Sequence, residues 1–210
     1  MKIIEPKVEF ITPIDADTVM KRLELIGRVC YKSEDKITDG SAEKFLRNII
    51  RRGHESILEH CSFTVRFTVD RGVSHEIVRH RMASFAQEST RYVKYDEVTF
   101  IKPCYLGDDT PAYHSWCAAM YVAENSYRQM IDYGCVPQEA RAVLPTSTKT
   151  ELIMTANIRE WRHFLRLRCS RAAHPQMREV AMMLLRMCME KMPVLFEDVY
   201  GEVEDVKAGE

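Results

Sequence analysis

Ser62-Phe63-Thr64-Val65-Arg66-Phe67-Thr68-Val69 alternates without interruption, with Phe63, Val65, Phe67 and Val69 on one face and Ser62, Thr64, Arg66 and Thr68 on the other. A period of two over eight residues specifies a strand with one buried face. Upstream, an Asp15 cap and apolar Val19, Leu23 and Ile26 predict a helix over Asp15 to Val29, and a second runs from Ser41, its cap, to Arg52 before Gly53. Downstream, the pattern predicts a short helix over Ser74 to His80, an irregular stretch to Glu88 and a strand through Tyr92, Val93, Lys94 and Tyr95.

Farther along, Pro111 and Gly134 bracket a long helix, Pro137 to Leu144 forms another closed by Pro145, and Leu152 to Thr155 reads as a short strand. Asn157 caps a helix to Arg168, with Glu160 completing a capping-box pattern. A long final helix is predicted from Pro175 to Phe196, its gaps filled by Met182, Met183, Met189 and Met192. Regular βαβ alternation is missing, so the fold class is α+β, an antiparallel-type sheet flanked by helices. One domain is expected over residues 1–196, followed by a tail, 197–210, whose six acidic residues and single Lys predict fraying.

At 210 residues the chain fits one cooperative core. The 30 basic and 31 acidic side chains leave a formal charge of -1, so no global field draws it to nucleic acid or an anionic membrane, and any anion site must be local. No apolar run approaches the roughly 18 residues of a membrane span, and Glu5, Pro6, Lys7 and Glu9 break any signal-peptide core, so a cytoplasmic protein is expected. Seven cysteines without a CxxC pair suit a reducing compartment.

Chemistry concentrates first at Arg79-His80-Arg81, followed after seven residues by Ser89-Thr90-Arg91. At a passage from helix through loop to strand these side chains are expected to converge on one anion, because the arginine fork grips phosphate through two donors at once. A second concentration lies between Asn157 and Arg178, where Arg159, Arg162, Arg166, Arg168, Arg171 and Arg178 accompany His163 and His174. Arg162 and Arg166, four apart, read as a solvated helix face, whereas Arg168 falls at a helix end where a chain reversal can aim it into a cleft. The run His54-Glu55-Ser56-Ile57-Leu58-Glu59-His60 lacks the spacing of either zinc-helix motif, since Leu58 or Ser56 stands where the second histidine belongs, so no metal is expected. No cysteine stands out as a nucleophile. Cys169, beside Arg168, alone has an obvious reason for a lowered pKa.

With these residues in view the chain resembles the flavin-dependent thymidylate synthases, whose signature is RHR, seven residues, then S-x-R. Arg79-His80-Arg81, Ser89 and Arg91 match it, and the similarity continues through Gly53 to Ser56, Glu59-His60, Ala140 to Pro145, Asn157-x-Arg159 and Leu165 to Arg168. The resemblance implies a homotetramer with shared active sites that binds FAD and makes dTMP from dUMP, with methylenetetrahydrofolate as carbon donor and NADPH as reductant. By position it implies FAD contacts at Ser56, Arg79, His80, Arg81, Asn157, Arg159 and His163, with His54 and His174 near the flavin. It implies dUMP contacts at Glu76, Ile77, Val78, Arg79, Gln87, Glu88, Ser89, Thr90, Arg91, Arg141 and Arg168, with Arg168 catalytic. Glu76 stands where the family pattern leads us to expect Gln. The competing reading is a binding module for RNA or single-stranded DNA that stacks bases on Phe85, Tyr92, Tyr95 and Trp161, and the charge balance argues against it.

Overall fold

In the computed structural model, which describes residues 1–208 and the side chains of 1–203, the chain enters through β1 (Lys2–Ile4) and β2 (Lys7–Phe10). The helices α1 (Ala16–Tyr31) and α2 (Ser41–Arg51) follow. Asp15 caps α1 as expected, but Gly40, at φ 76°, precedes α2, and the Ser41 hydroxyl instead donates to the buried Glu24 carboxylate of α1. Gly53 adopts the left-handed φ of 71° that lets the chain leave α2.

The alternating stretch builds β3 (Ser62–Asp70), in which Phe63, Val65, Phe67 and Val69 are all buried. Then come α3 (Arg71–Ile77), β4 (Ala83–Gln87), β5 (Thr99–Ile101), α4 (Pro111–Asp132) and the short α5 (Pro137–Ala140), which passes into a 3-10 turn over Arg141–Val143. β6 (Lys149–Asn157), α6 (Ile158–Arg168), α7 (Pro175–Lys191) and α8 (Pro193–Ala208) complete the described chain.

The main sheet has the order β2-β3-β6-β4 and is antiparallel throughout, while β1 and β5 form a separate parallel pair. β6 extends well beyond the expected Leu152 to Thr155, because the ladder from Ser62 opposite Asn157 to Asp70 opposite Lys149 supplies partners along its whole length. On the buried face Trp161 of α6 stacks on Phe63 with ring centroids 5.0 Å apart, and its indole N–H donates to the Phe63 carbonyl.

Several expectations are corrected. The stretch to Glu88 contains β4, whose sequence Ala-Ser-Phe-Ala-Gln has one large apolar residue and so little periodic signal. Tyr92 to Tyr95 is not a strand; the Ser89 carbonyl accepts the N–H groups of Tyr92 and Val93 and turns the chain. The short helix begins at Arg71 because Asp70 caps it, and it ends at Ile77 rather than His80.

The final helix is two helices, broken before Pro193, which lacks the N–H that would continue α7. Consequently the stretch expected to fray from 197 is helical through Ala208, and its remainder, 209–210, lies outside the described residues. α8 docks because Val194, Leu195, Phe196 and Val199 are buried and because Glu197, Asp198 and Glu202 pair with arginines. Arg162 is not on a solvated face: its side chain is 0% exposed, reaching Asp198 at 2.6 Å and Glu55 at 2.9 Å and donating to the Leu195 carbonyl. Arg166 adds contacts to Asp198 at 2.9 Å and Glu202 at 3.0 Å. Burial alone would raise the Asp198 pKa, but the hydrogen bonds and charge of Arg162, with help from Arg166, hold it below the usual carboxylate value.

Removing one side of a buried ion pair costs about 3–5 kcal/mol. Arg162→Ala is expected near the lower end, since Asp198 and Glu55 retain some solvent, and should lower Tm by roughly 6–12 °C on the scale for a chain of this size. Thermal unfolding followed by circular dichroism checks this, and an unchanged Tm would show that the cluster holds nothing.

Candidate functional site

The two halves of the arginine motif flank β4. Arg79, His80 and Arg81 occupy the turn that carries the chain from α3 into β4, and Ser89 to Arg91 occupy the turn after it. Five residues of strand place the ends of β4 about 14 Å apart. The two halves thus start from opposite ends of β4, where His80 joins one cluster and Thr90 another.

The first cluster centres on His80, which is 5% exposed. Its Nδ1 lies 3.0 Å from Glu160 Oε1, and its Nε2 lies 3.1 Å from Nε of Arg168. A guanidinium nitrogen can only donate, so Nε2 is the acceptor and Nδ1 carries the proton given to Glu160. That assigns the neutral Nδ1–H tautomer. Burial lowers the His80 pKa, the bond to Glu160 opposes it, and the charge of Arg168 lowers it further.

Arg168 ends α6 with all three guanidinium nitrogens engaged. Besides the Nε contact, Nη1 reaches Glu76 Oε2 at 3.0 Å and Nη2 reaches the Glu76 carbonyl at 2.9 Å. Arg168 stands at the expected helix end, with 15% of its side chain exposed. Beside this cluster a cleft of about 420 Å³ is lined by Glu55, Glu59, Met82, Asn157, Arg159, Glu160, His163 and Arg166. Asn157, Arg159 and His163, expected at the flavin, thus share one cavity.

The second cluster lies beyond β4. Thr90 is buried and its hydroxyl accepts from Arg141, while Glu88 accepts from the Tyr95 hydroxyl at 2.6 Å and from Lys149 at 3.0 Å. Burial, followed by Glu88, raises the Tyr95 pKa and keeps the phenol protonated. Gln87 donates to Ser74 and Thr150, so its amide is tied to the scaffold. Arg79, Arg81 and Arg91 are exposed.

Other candidates fall outside these clusters. His54 is exposed and bonded to the Tyr31 hydroxyl at 2.7 Å, His174 packs edge-on to Tyr105, Ser56 is exposed, and Val78 is exposed while Ile77 is fully buried in the core. The expected reason for a reactive Cys169 is overturned: burial dominates and pushes its thiol up to about 12. Trp161, named as a stacking surface for bases, is 0% exposed and cannot serve as one.

Sequence spacing missed one grouping, because its members come from different elements: the ligand-type atoms of His80, Glu160 and His163 lie within 4.8 Å of one another. Both nitrogens of His80 are already engaged, one with a proton and one accepting from Arg168, which leaves no lone pair for a cation. No helix among the described residues is long and apolar enough to cross a membrane.

Arg168 at one end of β4 and Arg141 at the other thus sit on an antiparallel α+β scaffold, with Arg79, Arg81 and Arg91 exposed nearby in sequence. The family model described as thymidylate synthase complementing protein matches residues 14–194. The flavin-dependent thymidylate synthase of Pyrococcus furiosus is 36% identical over 180 residues, covering 82% of this chain and 73% of that protein, and the one from Geobacter sulfurreducens is 35% identical over 183 residues, covering 83% and 79%. Among solved structures, the UMP/dUMP methylase PolB from Streptomyces cacaoi, bound with 5-Br dUMP, superposes with a TM-score of 0.79 at 28% identity, covering 94% of this chain and 96% of that one. The chain belongs to the flavin-dependent thymidylate synthase family.

His80 also makes stability depend on pH. With its folded-state pKa below the unfolded value of about 6.5, its contribution is fully present above that value and is lost as pH falls through the folded-state pKa. Tm should therefore drop between pH 7.5 and 5, and His80→Gln should flatten that drop in calorimetric scans. Parallel pH profiles for the two proteins would contradict the assignment.

Proposed function

We propose that the protein converts dUMP to dTMP, with FAD as cofactor, methylenetetrahydrofolate as carbon donor and NADPH as reductant. The observation that carries this reading is Arg168, a permanently charged fork held by His80 and Glu76 beside the arginine turn. Family membership and the dUMP-analogue complex of the structural relative support the substrate.

Carbon 5 of uracil is a weak nucleophile, so attack on a methylene donor requires negative charge to build on the ring and its adjacent carbonyl. Arg168 stabilises that charge through the N–H donors its contacts with His80 and Glu76 leave over, three of its five being engaged. Arg79, Arg91 and Arg141 hold phosphates, and Ser89 and Thr90 offer hydroxyls to the same end. Glu76, Gln87 and Glu88 border the nucleotide.

Asn157, Arg159 and His163 offer a flavin polar partners in this cleft of about 420 Å³, whose lining also carries Glu55, Glu160 and the Arg159 partner Glu59. The family resemblance adds Ser56, Arg79, His80 and Arg81 to the flavin contacts, whereas His174, packed on Tyr105 and close to Asp70 at the other end of the β3–β6 ladder from Asn157, and His54, bonded to Tyr31, lie outside the lining of this cleft. Bound FAD, reduced by NADPH, supplies the hydride that turns the transferred methylene into a methyl group.

The active form is a homotetramer whose copies complete one another's sites. Support comes from the separation of the two halves of the arginine motif across β4 and from exposed Arg79, Arg81, Arg91 and Tyr92, which a neighbouring copy can bring to a shared ligand. A cytoplasmic location fits seven unpaired cysteines and soluble nucleotide substrates.

Purified protein should be yellow with a flavin spectrum and should form dTMP from dUMP. Arg168→Lys is expected to lower turnover about 10²- to 10³-fold while keeping its flavin, since a point charge replaces the fork. Near-normal turnover in that variant would remove Arg168 from the chemistry. Light scattering is expected to give four times the 24.5 kDa chain mass, and a fully active monomer would refute the shared site.

A further inference from the structure

Glu160 sits at the third position of α6, where a capping box would turn its carboxylate back to the N–H of Asn157. Asn157 performs its half, its side chain accepting the Glu160 N–H at 2.9 Å. The Glu160 carboxylate instead lies 3.0 Å from His80 Nδ1. The helix start forgoes that second cap bond, and the carboxylate is spent on a buried imidazole.

That choice has a consequence three groups long. A carboxylate at Nδ1 keeps the proton there, the bare Nε2 can then accept from Arg168 Nε, and the guanidinium plane is thereby set with Nη1 and Nη2 on Glu76. If the proton moved to Nε2, or if His80 gained a second proton, two N–H groups would face each other and the contact with Arg168 would break. The groups facing His80 are Glu160, His163 and Arg168 from α6, with Glu76 of α3 behind Arg168 and the Phe164 ring 4.9 Å away closing the side.

We infer that Glu160 is a positioning residue: by fixing the Nδ1–H tautomer of His80 it holds the Arg168 guanidinium in its working orientation. This rests on the proposed role of Arg168 for its effect on turnover, but the tautomer and the Arg168 contact are measurable without any reaction. The expected loss on removal is about 10- to 100-fold, the range known for partners that orient metal-bound histidines. Because Glu160 also lines the flavin cleft, a flavin-binding role is the competing explanation.

The experiment uses full-length protein with ¹⁵N-labelled histidine and arginine, comparing wild type, Glu160→Ala and Glu160→Gln, with His80→Gln assigning the signal. Wild type should show a protonated Nδ1, an unprotonated Nε2 and an exchange-protected Arg168 Nε–H. Glu160→Ala should lose the tautomer preference and the protection, and should lower kcat about 10- to 100-fold with KM for dUMP and flavin content changed less than threefold. Glu160→Gln retains an acceptor oxygen and should restore both signals and most of the turnover. Unchanged tautomer and protection in Glu160→Ala would overturn the inference, as would a loss of activity that only tracks lost flavin. If Glu160→Ala fails to fold, Glu160→Gln with normal signals supports it and with lost signals overturns it. A wild type that forms no dTMP would instead refute the proposed function, while the resonances still decide whether Glu160 holds Arg168.

Discussion

The pairing of β3 with β6 is the constraint on which the rest depends. Each strand is nine residues long, and the ladder runs from Ser62 opposite Asn157 to Asp70 opposite Lys149. A slip of one residue would turn Phe63, Val65, Phe67 and Val69 to solvent, so burial fixes the register. Both ends of the ladder are also helix starts: Asp70 caps α3 and Asn157 caps α6. The helices that carry Glu76, Glu160 and Arg168 therefore begin at positions set by the same hydrophobic alternation.

Charge burial then decides how the helices close over that sheet. Arg162 has no water to solvate it and is tolerated because Glu55 comes from the 3-10 turn before β3 and Asp198 from α8. The cluster ties three segments distant in sequence, and it converts an acidic stretch that looks soluble by composition into a docked helix. Two residues along α6, Phe164 presses against both the aromatic core and His80, so the packing of the core and the orientation of the site share a side chain.

The site had uneven visibility in the sequence. Asn157 as a cap and Arg168 at a helix end followed from local pattern, because caps and helix ends depend on neighbours within a few residues. β4 was invisible, since Ala83, Ser84 and Ala86 carry almost no periodic signal and the strand exists only because β6 offers it an edge. Arg162 and Arg166 had the spacing of a solvated face, and nothing local announces that Asp198 and Glu202, each 36 residues later, will cover them.

By itself the sequence determined the one-sided strand, the α+β class, the family through its separated motifs, and the residue types able to grip anions. All of these rest on short-range periodicity or on residue identity at fixed spacing. Only the tertiary structure decided that the two halves of the arginine motif lie at opposite ends of β4, that Cys169 is a buried thiol whose pKa burial raises, and that Glu160, His80, Arg168 and Glu76 form one chain of contacts. Those outcomes depend on which distant groups share a low-dielectric space, and solvation of that kind exists only once the chain has closed around it.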